Sequence, residues 1–114
     1  MKKILIALIP ILMALFSAET FAQKTAEVSI KTSAVCEMCK KRIERDLGLT
    51  KGIQSATLNL TDKVVTVKYK PSKTDVEKIK QAISNIGYDA DEVVANQKSH
   101  DALPECCQKH NKEH

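Results

Sequence analysis

The chain has 114 residues and a formal net charge of +4, and 28% of its residues are charged while 4% are aromatic. Basic and acidic residues are interspersed, with no basic run and no aromatic residues among the basic ones, so the composition argues against nucleic-acid binding. This length predicts one domain with one modest core.

Residues 1–22 have the pattern of a secretory signal peptide. Lys2 and Lys3 precede an apolar run over residues 4–16, and small residues then form a cleavage site. A retained membrane anchor is the alternative, but Pro10 interrupts the run, and a spanning helix needs about 20 apolar residues. We therefore predict a periplasmic or secreted protein that has no membrane span after cleavage.

The first half of the remaining chain predicts a strand, a helix and a hairpin. Residues 26–32 alternate apolar and polar side chains, as a half-buried strand does. A helix is predicted to begin near Glu37 and to stop at Gly48. Residues 53–60 and 64–69 alternate again, and their three-residue connection predicts an antiparallel hairpin.

The second half predicts a helix, a short strand and a tail. Thr74 and Glu77 form a capping-box pattern, and an apolar stripe follows as far as Gly87, which ends the helix. Residues 88–94 are predicted to form a last strand. From Ala95 onward the chain is polar and aperiodic, so we expect a mobile tail.

This order of elements predicts an α+β fold. Strand, helix, strand, strand, helix, strand is the ferredoxin-like βαββαβ arrangement, in which an antiparallel sheet carries both helices on one face. The predicted organisation is a signal peptide at residues 1–22, one domain at 23–95 and a polar tail at 96–114.

Cys36 and Cys39 form a CxxC motif where the first strand leads into the first helix. Thiolates are the preferred ligands of soft ions such as Cu(I), and a helix N-terminus stabilises a thiolate. Two sulfurs suit Cu(I) or Hg(II), whereas zinc takes four ligands. The motif therefore predicts a site for a soft heavy-metal ion, Cu(I) first and Hg(II) second.

The chain resembles the heavy-metal-associated domain of copper chaperones, copper-transporting ATPases and periplasmic mercury-binding proteins. The resemblance covers residues 27–94 and rests on the CxxC motif, the order of elements and Gly87 beside Tyr88. It implies that Cys36 and Cys39 bind the ion and that Tyr88 packs beside them. It also implies a non-enzymatic protein whose partner is a membrane metal transporter or another thiol metal-binding domain.

The loop before the motif departs from that family's pattern. The family usually has Gly-Met and then Thr or His before the first cysteine, whereas this chain has Ser33, Ala34 and Val35. The missing methionine normally packs under the loop, so a looser loop is expected. Met38 either fills that space, is exposed, or offers a thioether to Cu(I).

A thiol-disulfide exchange protein that attacks through Cys36 is the alternative function, because redox proteins also use CxxC. Such proteins usually carry a Trp beside the motif and a later Pro that faces it. This chain has no Trp, and Pro71 precedes the second helix. The context therefore favours metal binding.

Cys106 and Cys107 lie in the predicted tail, with His110 three residues further on and His100 and His114 nearby. One interpretation is an auxiliary metal site made by Cys106, Cys107 and His110. It would capture an ion for the CxxC pair or fold back to complete a three- or four-sulfur site. The other interpretation is a disordered tail whose cysteines oxidise.

Overall fold

The computed structural model describes residues 24–108, so the predicted signal peptide, His110 and His114 lie outside the described residues. In chain order the elements are β1 (Ala26–Lys31), α1 (Glu37–Gly48), β2 (Ile53–Asn59), β3 (Val64–Tyr69), α2 (Val76–Ile86), α3 (Gln97–Asp101) and a 3-10 turn (Glu105–Cys107). Within residues 24–108 no helix has both the length and the apolar character that a membrane span requires.

The sheet has the order β1-β3-β2, and both neighbouring pairs are antiparallel. The predicted β2–β3 hairpin is confirmed. Alternate strand residues face the helices, since successive side chains of a strand point to opposite faces. The fully buried side chains of sheet and helices form one core, which includes Ile30, Val65, Val67, Ile43, Leu47, Ile79 and Ile83. The predicted ferredoxin-like fold class is thereby confirmed.

The predicted last strand is wrong as an element of the sheet. Only isolated bridges form in this region, from Ala90 to Thr32 and from Ala90 to Val93. Asp91 has a positive φ of 51°, and Ala90 and Val93 exchange both backbone hydrogen bonds, so the chain turns back on itself. The Asp91 carboxylate then accepts from the backbone N–H of Lys31, at 2.9 Å. The Asp91 side chain therefore provides the hydrogen-bond acceptor that a backbone carbonyl of a paired strand would otherwise provide.

The N-cap of α2 is Asp75 rather than Thr74, so the predicted capping box is wrong by one residue. The Asp75 carboxylate accepts a hydrogen bond from the backbone N–H of Lys78, at 2.9 Å, which satisfies one free donor of the first turn. Thr74 is instead buried, beside Gly52. A hydroxyl and a carboxylate compete for the cap at adjacent positions, and the carboxylate caps the helix.

The described part of the tail is folded, which corrects the expectation of a mobile segment for residues 96–108. Asn96 caps α3 by accepting from Ser99, and its own N–H donates to the carbonyl of Ser84 in α2. Leu103 is buried in the same core as the sheet and the main helices. Apolar contact and helix capping therefore hold a segment whose sequence is mostly polar.

Candidate functional site

Cys36 and Cys39 lie together at the N-terminus of α1. Cys36 is the N-cap residue, with extended backbone (φ −152°, ψ 173°), and Cys39 lies in the first turn. Their Sγ atoms are 3.4 Å apart, and the two residues are 8% and 0% exposed. The change from extended to helical backbone at Cys36 therefore brings both sulfurs to one buried point.

The loop before Cys36 is held by hydrogen bonds on both sides. The Thr32 hydroxyl donates to the carbonyl of Lys63 at 2.8 Å and accepts from the N–H of Ala34 at 3.2 Å. The Ser33 hydroxyl accepts from the N–H of Asp89 at 2.9 Å. Ala34 is fully buried. These contacts fix the loop without the methionine that the family usually places there.

The tail brings two more sulfurs to this point. Cys107 is 1% exposed, and its Sγ lies 3.6 Å from that of Cys36. Cys106 is only half-buried, with its Sγ 3.9 Å from Cys107 and 3.8 Å from the Met38 Sδ. The sulfurs of Cys36, Cys106 and Cys107 all lie within 4.8 Å of one another. All four cysteines are free thiols in one cluster.

The neighbours of Cys36 favour its thiolate. Burial opposes ionisation, but hydrogen bonds from the backbone and thiol of Cys39, the thiol of Cys107 and the backbone of Met38 outweigh it and lower the pKa of Cys36. Burial and the interaction with Cys39 raise the pKa of Cys107 to about 12. Hydrogen bonds from its neighbours thus favour the thiolate at Cys36, whereas Cys107 stays a neutral thiol near pH 7.

Arg42 is a member of the site that sequence reasoning missed. Its guanidinium donates to the Cys107 Sγ at 3.3 Å and to the Tyr88 hydroxyl at 3.2 Å. Arg42 follows Cys39 by three residues, a spacing that places two side chains on the same side of a helix, and this signal was available in the sequence. The site therefore includes one permanent positive charge beside the sulfurs.

Tyr88 and Met38 differ in their exposure to solvent. Tyr88 is fully buried, and burial together with a hydrogen bond to Cys39 raises its pKa, so its hydroxyl stays neutral. Met38 is 49% exposed and does not fill space beneath the loop. Its sulfur instead lies next to Cys106 at the surface of the cluster.

The sequence matches a known domain family. Residues 30–89, more than half of the chain, match the model of the heavy-metal-associated domain family. The chain is 48% identical over 56 residues to a copper-exporting P-type ATPase of Staphylococcus epidermidis, a match covering 49% of this chain and 7% of that protein. It is 42% identical over 69 residues to the copper-exporting P-type ATPase of Staphylococcus aureus strain Newman, covering 60% and 8%. The chain thus spans less than a tenth of the length of these curated relatives.

Solved structures of two kinds share the fold. The CopZ metallochaperone is 33% identical with a TM-score of 0.55, over 57% of this chain and 98% of that one. Oxidized MerP from Ralstonia metallidurans CH34 is 19% identical with a TM-score of 0.56, over 59% and 94%, and this likeness concerns the fold alone.

The predicted family is confirmed by the family match together with the βαββ-α core that these structures share. The CxxC motif lies within the matched residues, at the first turn of α1. This protein belongs to the heavy-metal-associated domain family.

Proposed function

We propose that this protein binds one Cu(I) ion through Cys36 and Cys39 and relays it to another thiol-containing protein. The observation that carries the proposal is the pair of sulfurs 3.4 Å apart at the buried N-terminus of α1. The copper-exporting ATPases among its relatives support copper as the ion.

The chemistry of the pair fits a soft monovalent ion. Thiolates bind Cu(I) in preference to hard cations, and the helix N-terminus stabilises the negative charge that they carry. A thiol must lose its proton before it can bind the ion. Hydrogen bonds already favour the thiolate at Cys36 in the free protein, so this step costs less free energy there. Transfer then proceeds by replacement of these two sulfurs, one at a time, by the thiols of a partner.

The proposed partner is a membrane metal transporter or another thiol metal-binding domain. Relatives that are named as copper-exporting P-type ATPases carry this domain as a small part of their length, which supports such a recipient. The proposed role is transfer of the ion without a catalysed reaction. Hg(II) is the second candidate ion, because two thiolates also satisfy its preference for few soft ligands.

Residues 1–22 support export, so we place the protein in the periplasm or outside the cell. Two lysines followed by an apolar run and small residues are the features of a cleaved signal. Fractionation of the native cells, with mass spectrometry of the N-terminus, tests this placement. An intact N-terminus in the cytoplasmic fraction would refute it.

Anaerobic titration of the reduced protein with Cu(I), Hg(II) and Zn(II), followed by native mass spectrometry, tests the function. We expect one tightly held Cu(I) that is lost in the Cys36→Ser/Cys39→Ser variant. The matched control is Ser55→Ala/Ser72→Ala, which removes two exposed hydroxyls outside the cluster and should keep the ion.

The competing function is thiol-disulfide exchange, and the same preparations test it. If no ion survives a modest chelator while Cys36 reduces or oxidises a substrate disulfide, the metal proposal is wrong. Retention of Zn(II) in preference to Cu(I) would also contradict it, since two or three thiolates leave zinc short of its four ligands.

A further inference from the structure

We infer that Cys107 is a third ligand of the ion, so that the site is a three-sulfur centre made by Cys36, Cys39 and Cys107. This inference rests on the proposed function, since it specifies how the same ion is held. It assigns a role to the tail, which lies beyond the residues that match the family model.

The distances between sulfurs favour three ligands over two. If each sulfur lies about 2.3 Å from the ion, as in zinc thiolate sites, two sulfurs in line are about 4.6 Å apart and three in a plane are about 4.0 Å apart. Cys36 lies 3.4 Å from Cys39 and 3.6 Å from Cys107. These two separations must increase by only about 0.6 and 0.4 Å to reach the planar spacing, whereas a linear pair requires the sulfurs of Cys36 and Cys39 to move apart by about 1.2 Å.

The tail that carries Cys107 is docked by contacts of its own. Leu103 packs against Gly87 so closely that an added Cβ at Gly87 would lie 3.1 Å from its side chain and 3.0 Å from the carbonyl of Ser99. The Gln108 side chain donates to the Leu103 carbonyl at 3.2 Å, which closes the 3-10 turn around the cysteines. Cys107 is thus positioned before any ion binds, and little conformational entropy remains to be lost.

The charge balance also fits three thiolates. Three thiolates around Cu(I) leave a net charge of about −2, which is costly to bury without compensation. The Arg42 guanidinium, 3.3 Å from the Cys107 Sγ, and the N–H groups at the start of α1 supply that compensation. Arg42 contacts the tail cysteine rather than the CxxC pair, so the positive charge lies where the third ligand adds its negative charge.

Cys106 is the weaker candidate for the third ligand. It is half-buried, and its sulfur lies near Met38 at the surface, 3.9 Å from that of Cys107. Its hydrogen-bond partners are the Met38 thioether and the Cys107 thiol rather than Arg42. The adjacent cysteine therefore provides a matched control that differs from Cys107 in burial and in contact with the cation.

X-ray absorption at the copper edge, on the isolated reduced protein loaded with one Cu(I), counts the sulfurs directly. We expect three sulfurs in the unmodified protein and in Cys106→Ser, and two in Cys107→Ser. Competition with a Cu(I) chelator should show at least about tenfold weaker binding for Cys107→Ser. Cys106→Ser should stay within about twofold of the unmodified protein.

Two sulfurs in the unmodified protein would overturn the three-sulfur centre while leaving Cu(I) binding by the CxxC pair in place. This measurement needs no variant, so a folding defect in Cys107→Ser does not affect it. Loss of the third sulfur in Cys106→Ser alone would also overturn the assignment. Failure of the unmodified protein to bind Cu(I) at all would instead overturn the proposed function, and the inference with it.

Discussion

The Arg42 guanidinium lies 3.3 Å from the Sγ of Cys107 and links α1 to the tail. The same group donates to the hydroxyl of Tyr88, in the segment after α2. One side chain on the first helix therefore contacts the two later segments that surround the cysteine cluster. Its hydrogen bond with Tyr88 raises the pKa of Arg42 although partial burial acts in the opposite direction, so the positive charge is permanent.

Arg42→Met is expected to weaken Cu(I) binding about tenfold, or about 1.4 kcal/mol. The substitution removes a charge-assisted hydrogen bond to a sulfur and keeps most of the apolar side-chain volume. Competition against a Cu(I) chelator measures the change. The control is Arg45→Met, which removes the same charge from an exposed side chain paired with Asp46 on the same helix. Equal losses in both variants would mean that overall charge, rather than the contact, is responsible.

Gly87→Ala is expected to destabilise the fold by about 1 to 3 kcal/mol, because Gly87 has a φ of 120° that other residues rarely adopt. The new methyl group would also press on Leu103, so the tail should lose protection from hydrogen exchange. Thermal unfolding and exchange over residues 97–107 are the measurements. Gly48→Ala is the control, since it ends α1 with no atom within 4 Å of the added Cβ. It should leave stability unchanged or raise it by about 0.5 kcal/mol.

Glu44→Gln is expected to cost about 1 kcal/mol at pH 7, with the difference vanishing in acid. The Glu44 carboxylate accepts from Lys40 at 2.6 Å and from the backbone N–H of Leu58 at 2.7 Å, which ties α1 to β2. Burial opposes its ionisation, but these two donors outweigh burial and lower the pKa of Glu44. A carboxylate whose pKa is lower in the folded state stabilises the fold above its unfolded pKa of about 4.3. That stabilisation is lost as the pH falls toward the folded value.

Denaturant unfolding of the unmodified protein and of Glu44→Gln, from pH 7 down to pH 3, measures this difference in stability. The exposed Glu27 in β1 provides the control, and Glu27→Gln should change stability little at either pH. A Glu44→Gln deficit that persists unchanged at pH 3 would show that shape or packing, rather than charge, accounts for the loss.

Met38→Leu is expected to leave the Cu(I) affinity within about twofold of the unmodified protein. Met38 is half exposed and its Sδ contacts Cys106 rather than the buried sulfurs, so its thioether is not required to hold the ion. Chelator competition and the sulfur count at the copper edge are the readouts. A fall of more than about tenfold, with one sulfur fewer, would make Met38 a ligand.

The sequence predicted most of the regular structure because local patterns determined it. The predicted hairpin and both main helices were found within a residue or two of their expected ends, since their apolar residues recur at the period of a strand or a helix. The capping of α2 was assigned one residue early because Thr74 and Asp75 are both good N-caps, and only their surroundings distinguish them.

Predictions failed where the chain uses side chains in place of regular backbone pairing. Residues 88–94 were expected to form a strand, yet Asp91 supplies the acceptor that a strand carbonyl would provide. Likewise the Glu44 carboxylate accepts from the backbone N–H of Leu58, fourteen residues later in the chain. Contacts of this kind leave no periodic pattern, and periodicity was the main signal available.

The sequence by itself determined the family, the CxxC pair and its position at a helix N-terminus, because each depends on residues close together in the chain. Only the tertiary structure decided that Cys107 joins that pair, 3.6 Å from Cys36 and 71 residues later in the chain. The tail is polar and aperiodic, so its position depends on long-range contacts. Leu103 packs against Gly87, and the Arg42 guanidinium donates a hydrogen bond to Cys107. Such contacts form only after the helices and sheet have created the surface that receives them.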